Sequence, residues 1–153
     1  MNMDTEKTPF GETKINPAYI IRNTFLKKDD ETIGYETGAT FMNQIGLTTQ
    51  MAKHRFIVTN IFNRNGCKVD EKLNVIIRKP YTIVTNDNYQ YLQILDVIEN
   101  KEKVPVDADN PNRIILEYVK RSKLDIIKLL AYASKYYGKE TLRRLGEIAA
   151  SEL

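Results

Sequence analysis

The sequence has no tryptophan, a single histidine and a single cysteine among its 153 residues, and each shortage excludes a kind of chemistry. With Cys67 alone, no internal disulfide staples the fold, and so sparing a use of thiols suits a reducing cytoplasm. A metal centre needs several nitrogen, sulfur or oxygen donors within about 2 to 2.5 Å of one ion. His54, between Lys53 and Arg55, has no companions of that kind. Asp107, Asp109 and Asn110 look like part of a calcium loop but lack its glycine and distal glutamate, so they read as a helix-capping loop. No metal and no cofactor is expected.

Long hydrophobic runs are missing too. Apolar runs such as 75–77 and 114–116 fall far short of the roughly 20 residues that cross a bilayer. The N-terminus has no basic start followed by an apolar run and a small-residue cleavage site. Nucleophilic catalysis needs a base held by a third group. Cys67 has only Arg64 and Lys68 for neighbouring cations, and Thr48 and Thr49 have no second histidine to serve them. Gly34, Gly38 and Gly46 lack the spacing and the following lysine of a phosphate-binding loop. A metal-dependent nuclease would carry an acid two residues before the lysine of its strand, where Val75-Ile-Ile-Arg-Lys79 has Ile77. These absences favour binding over turnover.

What is present suffices for one folded domain. Hydrophobic residues make up 42% and charged residues 28%, enough apolar surface to bury a core at this length. Residues 1–15 are polar and aperiodic, with Pro9 and Gly11 at their centre, and read as an extended lead-in to a single domain over 16–153. Asn16 and Pro17 form a helix start, cap followed by first turn, and Ala18, Ile21, Phe25 and Leu26 make its buried stripe up to about Asp30. A second helix is expected over 37–45, stopped by Gly46. The β-branched and aromatic run 55–61, the turn 63–66 and the run 67–69 read as a hairpin, which a reversal at 70–72 extends into the strand 73–78.

Four helices follow, over 88–100, 111–119, 124–137 and 140–152, with the polar loop 101–110 between the first two. In the third, Leu124, Ile127, Leu130, Ala131 and Ser134 are expected to share the buried face, leaving Asp125, Lys128, Tyr132 and Lys135 outside. The order predicts an α+β domain of two N-terminal helices, a small antiparallel strand meander and four C-terminal helices.

The net charge of +3 is unevenly placed: residues 120–153 carry eight basic and four acidic side chains, and the remainder is nearly neutral. Lys120, Arg121, Lys123, Lys128, Lys135, Arg143 and Arg144 are therefore candidates for nucleic-acid binding, with Tyr132, Tyr136 and Tyr137 among them. The alternative is a solvated face of amphipathic helices with tyrosines at the edge of the core.

The segment Thr37-Gly38-Ala39-Thr40-Phe41-Met42-Asn43-Gln44-Ile45-Gly46-Leu47-Thr48-Thr49-Gln50, followed by the strand Phe56-Ile57-Val58-Thr59-Asn60, resembles the C-terminal domain of the AbiEi family of abortive-infection antitoxins, also called transcriptional regulators of viral defence. Upstream, Lys7-Thr8-Pro9-Phe10-Gly11-Glu12 looks like the link from that family's N-terminal winged helix. Downstream, Leu142-Arg143-Arg144-Leu145 resembles its closing helices. The resemblance spans most of 7–150 and implies a non-enzymatic antitoxin or regulator of a type IV toxin-antitoxin system, opposing a nucleotidyltransferase-like toxin. This chain starts where the winged helix would have ended, so any transcriptional role, with its DNA contact, would fall to the basic helices alone or to a separate partner. Within the motif, Gly38, Gly46, Leu47, Thr48, Thr49 and Gln50 read first as structural, the glycines for close approach and capping, the polar side chains for backbone satisfaction. A third reading, a descendant of an enzyme, turns on whether acidic side chains face a pocket.

Overall fold

The computed structural model describes residues 5–8, 11–14, 16–100 and 103–152. Within the expected lead-in, β1 (Thr5–Thr8) and β2 (Gly11–Lys14) pair as an antiparallel ribbon, while Pro9, Phe10 and the other residues of 1–15 lie outside the described set. Helix α1 (Pro17–Ile21) begins where Asn16 accepts from the Ala18 amide at 2.9 Å. It widens into a π turn over Arg22–Leu26 and ends there, short of Asp30. Lys27 is already extended, and Asp29 at φ 55° turns a short hairpin of β3 (Lys27–Lys28) and β4 (Glu31–Thr32).

The sheet departs from the expected meander. Its order is β5 (Gly34–Thr37), β6 (Arg55–Thr59), β8 (Val75–Arg78) and β7 (Cys67–Asp70), and β6 runs parallel to β8. The segments read as a hairpin, β6 and β7, do not touch; β7 pairs with β8 alone, at the edge. Burial explains the exchange. Cys67, Lys68 and Val69 are exposed, whereas Val75 and Ile77 are buried, so the apolar strand takes the interior and the polar one the rim. Strand β5 was not legible as a strand. It pairs antiparallel with β6, and all its residues are buried.

Side chains alternate across this sheet. Ile57, Val75 and Ile77 join Ile21, Phe25 and Leu73 in a small core beneath the π turn. Tyr35 and Val58 face the larger core, made with α2 (Gly38–Gln44), α3 (Tyr89–Asn100), α4 (Pro111–Arg121), α5 (Ile126–Tyr136) and α6 (Lys139–Ala150). Asn110 and Asp125 cap α4 and α5 by accepting the Arg113 and Ile127 amides. The α+β class thus holds, with a mixed sheet.

Helix α5 is rotated from its expected setting. Leu129 and Ala133 are its buried residues, with Ile126 and Leu130 packed beside them, while Ile127 is 72% exposed and Ala131 and Ser134 are exposed as well. Leu124 precedes the cap, so a face counted from it is out of phase with the helix that starts at Ile126.

Two glycines provide a stability test of opposite sign. A Cβ on Gly34 would stand 2.3 Å from the Phe25 carbonyl and 2.6 Å from the Val58 carbonyl, with only backbone to yield. Gly146, inside α6, has open space around it. Gly34→Ala should cost at least about 2 kcal/mol through overpacking, and Gly146→Ala should gain about 0.5 to 1 kcal/mol through helix propensity. Urea unfolding of the two variants reads both.

Candidate functional site

Two strands, the interior of α3 and the end of α5 bring a set of polar groups together at one buried point. In the register, Tyr35 lies opposite Val58, and Val58 opposite Arg78, so Tyr35 and Arg78 share one face with Val58 between them. Above this row α3 presents Asp96, which is fully buried. Tyr35 donates to Asp96 Oδ2 at 2.5 Å and Tyr137, just past α5, donates to Oδ1 at 2.7 Å. Arg78 Nη2 stands 2.9 Å from Oδ2. That contact is one of charge, since Nη2 makes no aligned hydrogen bond among the described residues.

The surroundings hold these groups in place. Arg78 donates from Nη1 to the Lys79 carbonyl at 3.1 Å and lies 5.0 Å from the Tyr81 ring centre. Tyr81 meets Tyr137 edge to face at 4.8 Å and donates to Glu99 at 2.6 Å. Burial pushes the Asp96 carboxyl above the usual carboxylate range, against the pull of Arg78 and the two phenols. Burial, then the Asp96 charge, raises both the Tyr35 and Tyr137 phenols far above the ordinary tyrosine value. For Arg78, burial pushes the guanidinium down, and the Asp96 carboxylate with the surrounding Tyr35, Tyr81 and Tyr137 together outweigh it and keep the group charged. Both phenols therefore stay protonated donors at neutral pH, and both carboxylate oxygens are occupied.

The strands also border two clefts. One, of about 300 Å³, opens beside Arg78 and Tyr81 and is lined further by Gly38, Phe56, Cys67 and Glu99. The other, of about 370 Å³, lies along the outer edge of β5 between the π turn and α3, among Arg22, Lys27, Glu36, Arg55 and Gln93. There Arg55 Nε donates to Glu36 Oε2 at 3.0 Å and Lys27 to the Thr32 hydroxyl at 2.8 Å. No three His, Cys, Asp or Glu side chains among the described residues gather as a metal site. No family model, no curated protein and no solved structure matches the chain.

The motif segment is absorbed into the fold. Thr37 is buried at the entrance to α2. Gly38 has φ 74° and brings its backbone so close to Phe56 that a Cβ would be 3.2 Å from that residue's own. Gly46 at φ 89° closes α2, the Leu47 amide reaching back to the Met42 carbonyl at 2.9 Å, and Leu47 is fully buried. The Thr48 hydroxyl accepts from the Gln50 amide at 3.1 Å. Thr49 donates to Asp107 through its hydroxyl at 2.5 Å and its amide at 3.2 Å, and the Asp107 amide donates to the Leu47 carbonyl at 3.2 Å. The segment thus ties down the loop before α4. The Thr49 hydrogen bonds hold the exposed Asp107 carboxyl below its usual range.

The seven basic candidates separate into three groups. Lys120 pairs with Glu152 at 2.9 Å, Arg143 with Glu140 and Glu147, and Arg144 with Glu140 at 3.3 Å. Arg144 also donates to the Ile98 and Glu99 carbonyls, at 3.2 and 3.1 Å, closing the end of α3. Arg121 lies 5.9 Å from the Tyr118 ring, and Lys123 sits in the turn after α4 at φ 56°. Lys128 and Lys135 instead stand over the Tyr91 and Tyr136 rings, at 5.7 and 5.3 Å, beside Ala131 and Tyr132.

Sequence reading passed over Tyr35, Arg78 and Asp96. One signal was available: Asp96 is the sole acid within the apolar run Leu92, Ile94, Leu95, Val97, Ile98, and a lone acid there is buried with partners or not at all. Its partners come from strands whose order local pattern does not give.

The Tyr137 hydroxyl is the simplest member to remove. Tyr137→Phe leaves Asp96 Oδ1 without its donor and should cost about 1 to 3 kcal/mol at neutral pH. An acid with a raised folded-state pKa contributes stability that is complete below its unfolded value, about 10 for tyrosine, and fades as pH climbs beyond it. The native chain should therefore lose stability above pH ~10 more steeply than the variant. Denaturation midpoints across the alkaline range decide this, and parallel curves would contradict the assignment.

Proposed function

We propose that this chain is a non-enzymatic binding domain of the antitoxin and transcriptional-regulator kind, acting in the cytoplasm against a nucleotidyltransferase-like toxin of an abortive-infection system. The observation that carries the reading is the sealed state of the Asp96 cluster. The convergent carboxylate, phenols and guanidinium are spent on one another, and Asp96 has no exposed surface. A general base must reach a substrate proton through space or one water, and this one reaches only its own partners. The same fact weighs against the enzyme-descendant reading. The resemblance of the segment from Thr37 to Gln50 supports the choice of an antitoxin among binding proteins.

The second reading, a nucleic-acid-binding module on the C-terminal helices, is favoured by Lys128 and Lys135, which have no carboxylate partner among the described residues. It leaves Arg121, Lys123, Lys128 and Lys135 in the front rank and removes Lys120, Arg143 and Arg144 from it, because the charges of those three are already answered.

Co-expression tests the first reading. With a nucleotidyltransferase-like toxin encoded beside it, the full chain should restore growth, and Asp96→Asn should lose that protection only as far as it loses folded protein on a soluble-fraction blot. Persistent arrest despite abundant folded chain would reject the antitoxin role.

A further inference from the structure

Helix α5 differs from its neighbours in how its cations are held. On α4 and α6 most of the basic side chains meet carboxylates, Arg113 with Glu117, Lys120 with Glu152, Arg143 with Glu140 and Glu147, while Arg121 lies over the Tyr118 ring. The sequence of α5, IIKLLAYASKY, contains no acid at all. Its cap Asp125 is occupied with the Ile127 amide at 2.9 Å. Lys128 and Lys135 instead flank a row of rings, with Tyr91 and Tyr132 5.5 Å apart and Tyr132 and Tyr136 5.9 Å apart, tilted by 38° and 31°. Tyr132 and Tyr136 are half-buried at the edge of the main core, and Ile127, on the adjacent row, is 72% exposed.

We propose that this face, Lys128, Tyr132, Lys135 and Tyr136, binds single-stranded nucleic acid by stacking bases on the tyrosines and seating phosphates on the lysines. The inference rests on the nucleic-acid reading above and fixes both its site and its strand form. Positive side chains that follow a backbone, interleaved with rings that accept any base, are what sequence-tolerant single-strand binding requires. The lysines, seven positions apart on α5, are about 10 Å apart along the helix axis at 1.5 Å per residue, a span of about three bases at 3.4 Å each. A duplex hides its base faces and gives the tyrosines nothing to stack on. An acidic protein segment would match the lysines but leaves the row of rings without a purpose.

The test uses the full chain and a fluorescein-labelled oligothymidylate of about twelve nucleotides, within the usual span of such sites, beside a duplex of equal length. Anisotropy at low salt should show tighter binding to the single strand, and tyrosine fluorescence should be quenched in step. Tyr132→Ala should weaken binding about tenfold on a chain whose circular dichroism is unchanged. Lys128→Ala with Lys135→Ala, both exposed positions that fold safely, should flatten the salt dependence by about 0.7 per charge removed. Arg113→Ala, paired on α4, should change nothing. Equal or tighter duplex binding, or silent α5 variants, would overturn this inference and leave the nucleic-acid reading standing. No binding of either form would remove both. Competition by polyglutamate as strong as by unlabelled oligothymidylate would reassign the face to an acidic protein and overturn the proposal.

Discussion

The carboxylate of Asp96 is the constraint on which the assembly of sheet and helices depends. Bringing a charge out of water costs several kcal/mol even after relaxation, and only close, well-aligned partners return it. Here the partners come from the first and third strands in sheet order, β5 and β8, and from the end of α5, which are remote in sequence. The bond network therefore forms only when the strand order and the helix packing are both correct. A shift of β8 by one residue would turn Arg78 to the opposite face and leave Asp96 buried without its counter-charge. Hydrophobic contact favours collapse in general, while this cluster selects one arrangement among the collapsed ones.

The order of the sheet follows from the same balance of polar and apolar surface. The strand with buried valine and isoleucine sits inside, the one with exposed Lys68 and Cys67 outside, and the chain visits the rim before returning to the centre. That return makes β6 and β8 parallel. Sequential strands are adjacent more often than not, which is why a hairpin is the natural reading of the sequence, and here the apolar content of β8 overrides that preference.

Legibility in the sequence divides along local and non-local lines. Asn16, Gly46 and Asn110 announced helix ends because a cap is chosen by the amides or carbonyls a few residues away. The helices from Tyr89 onward were visible within a few residues of their ends for the same reason. Strand β5 escaped notice because a strand buried throughout should read as an apolar run, and Gly34, Glu36 and Thr37 leave Tyr35 as its one large apolar side chain. Of the candidate site, the basic residues were readable one by one. Which of them meet a glutamate and which a tyrosine depends on the rotation of each helix, and no count along the chain supplies that.

The rotation of α5 shows how the buried carboxylate reaches the surface. Tyr137 is held to Asp96 and to the Leu92 carbonyl, at 2.7 and 3.2 Å. On a helix a residue's own side is shared by the position four back, so fixing Tyr137 turns Ala133 inward and, in the turns before it, Leu130, Leu129 and Ile126, while Ser134 at three back stays exposed. The fully buried Ala133 and Leu129 fit that phase. Of the rows that remain, Ile127, Lys128, Ala131 and Lys135 face out and Tyr132 and Tyr136 lie at the rim of the core, although the outer row contains an isoleucine that propensity alone would bury. An exposed Ile127 beside two lysines and two tyrosines is thus the outward side of a helix whose setting was decided at its far end. The polar anchor in the core and the aromatic, basic face outside are two results of one orientation, and a change that released Tyr137 would disturb both.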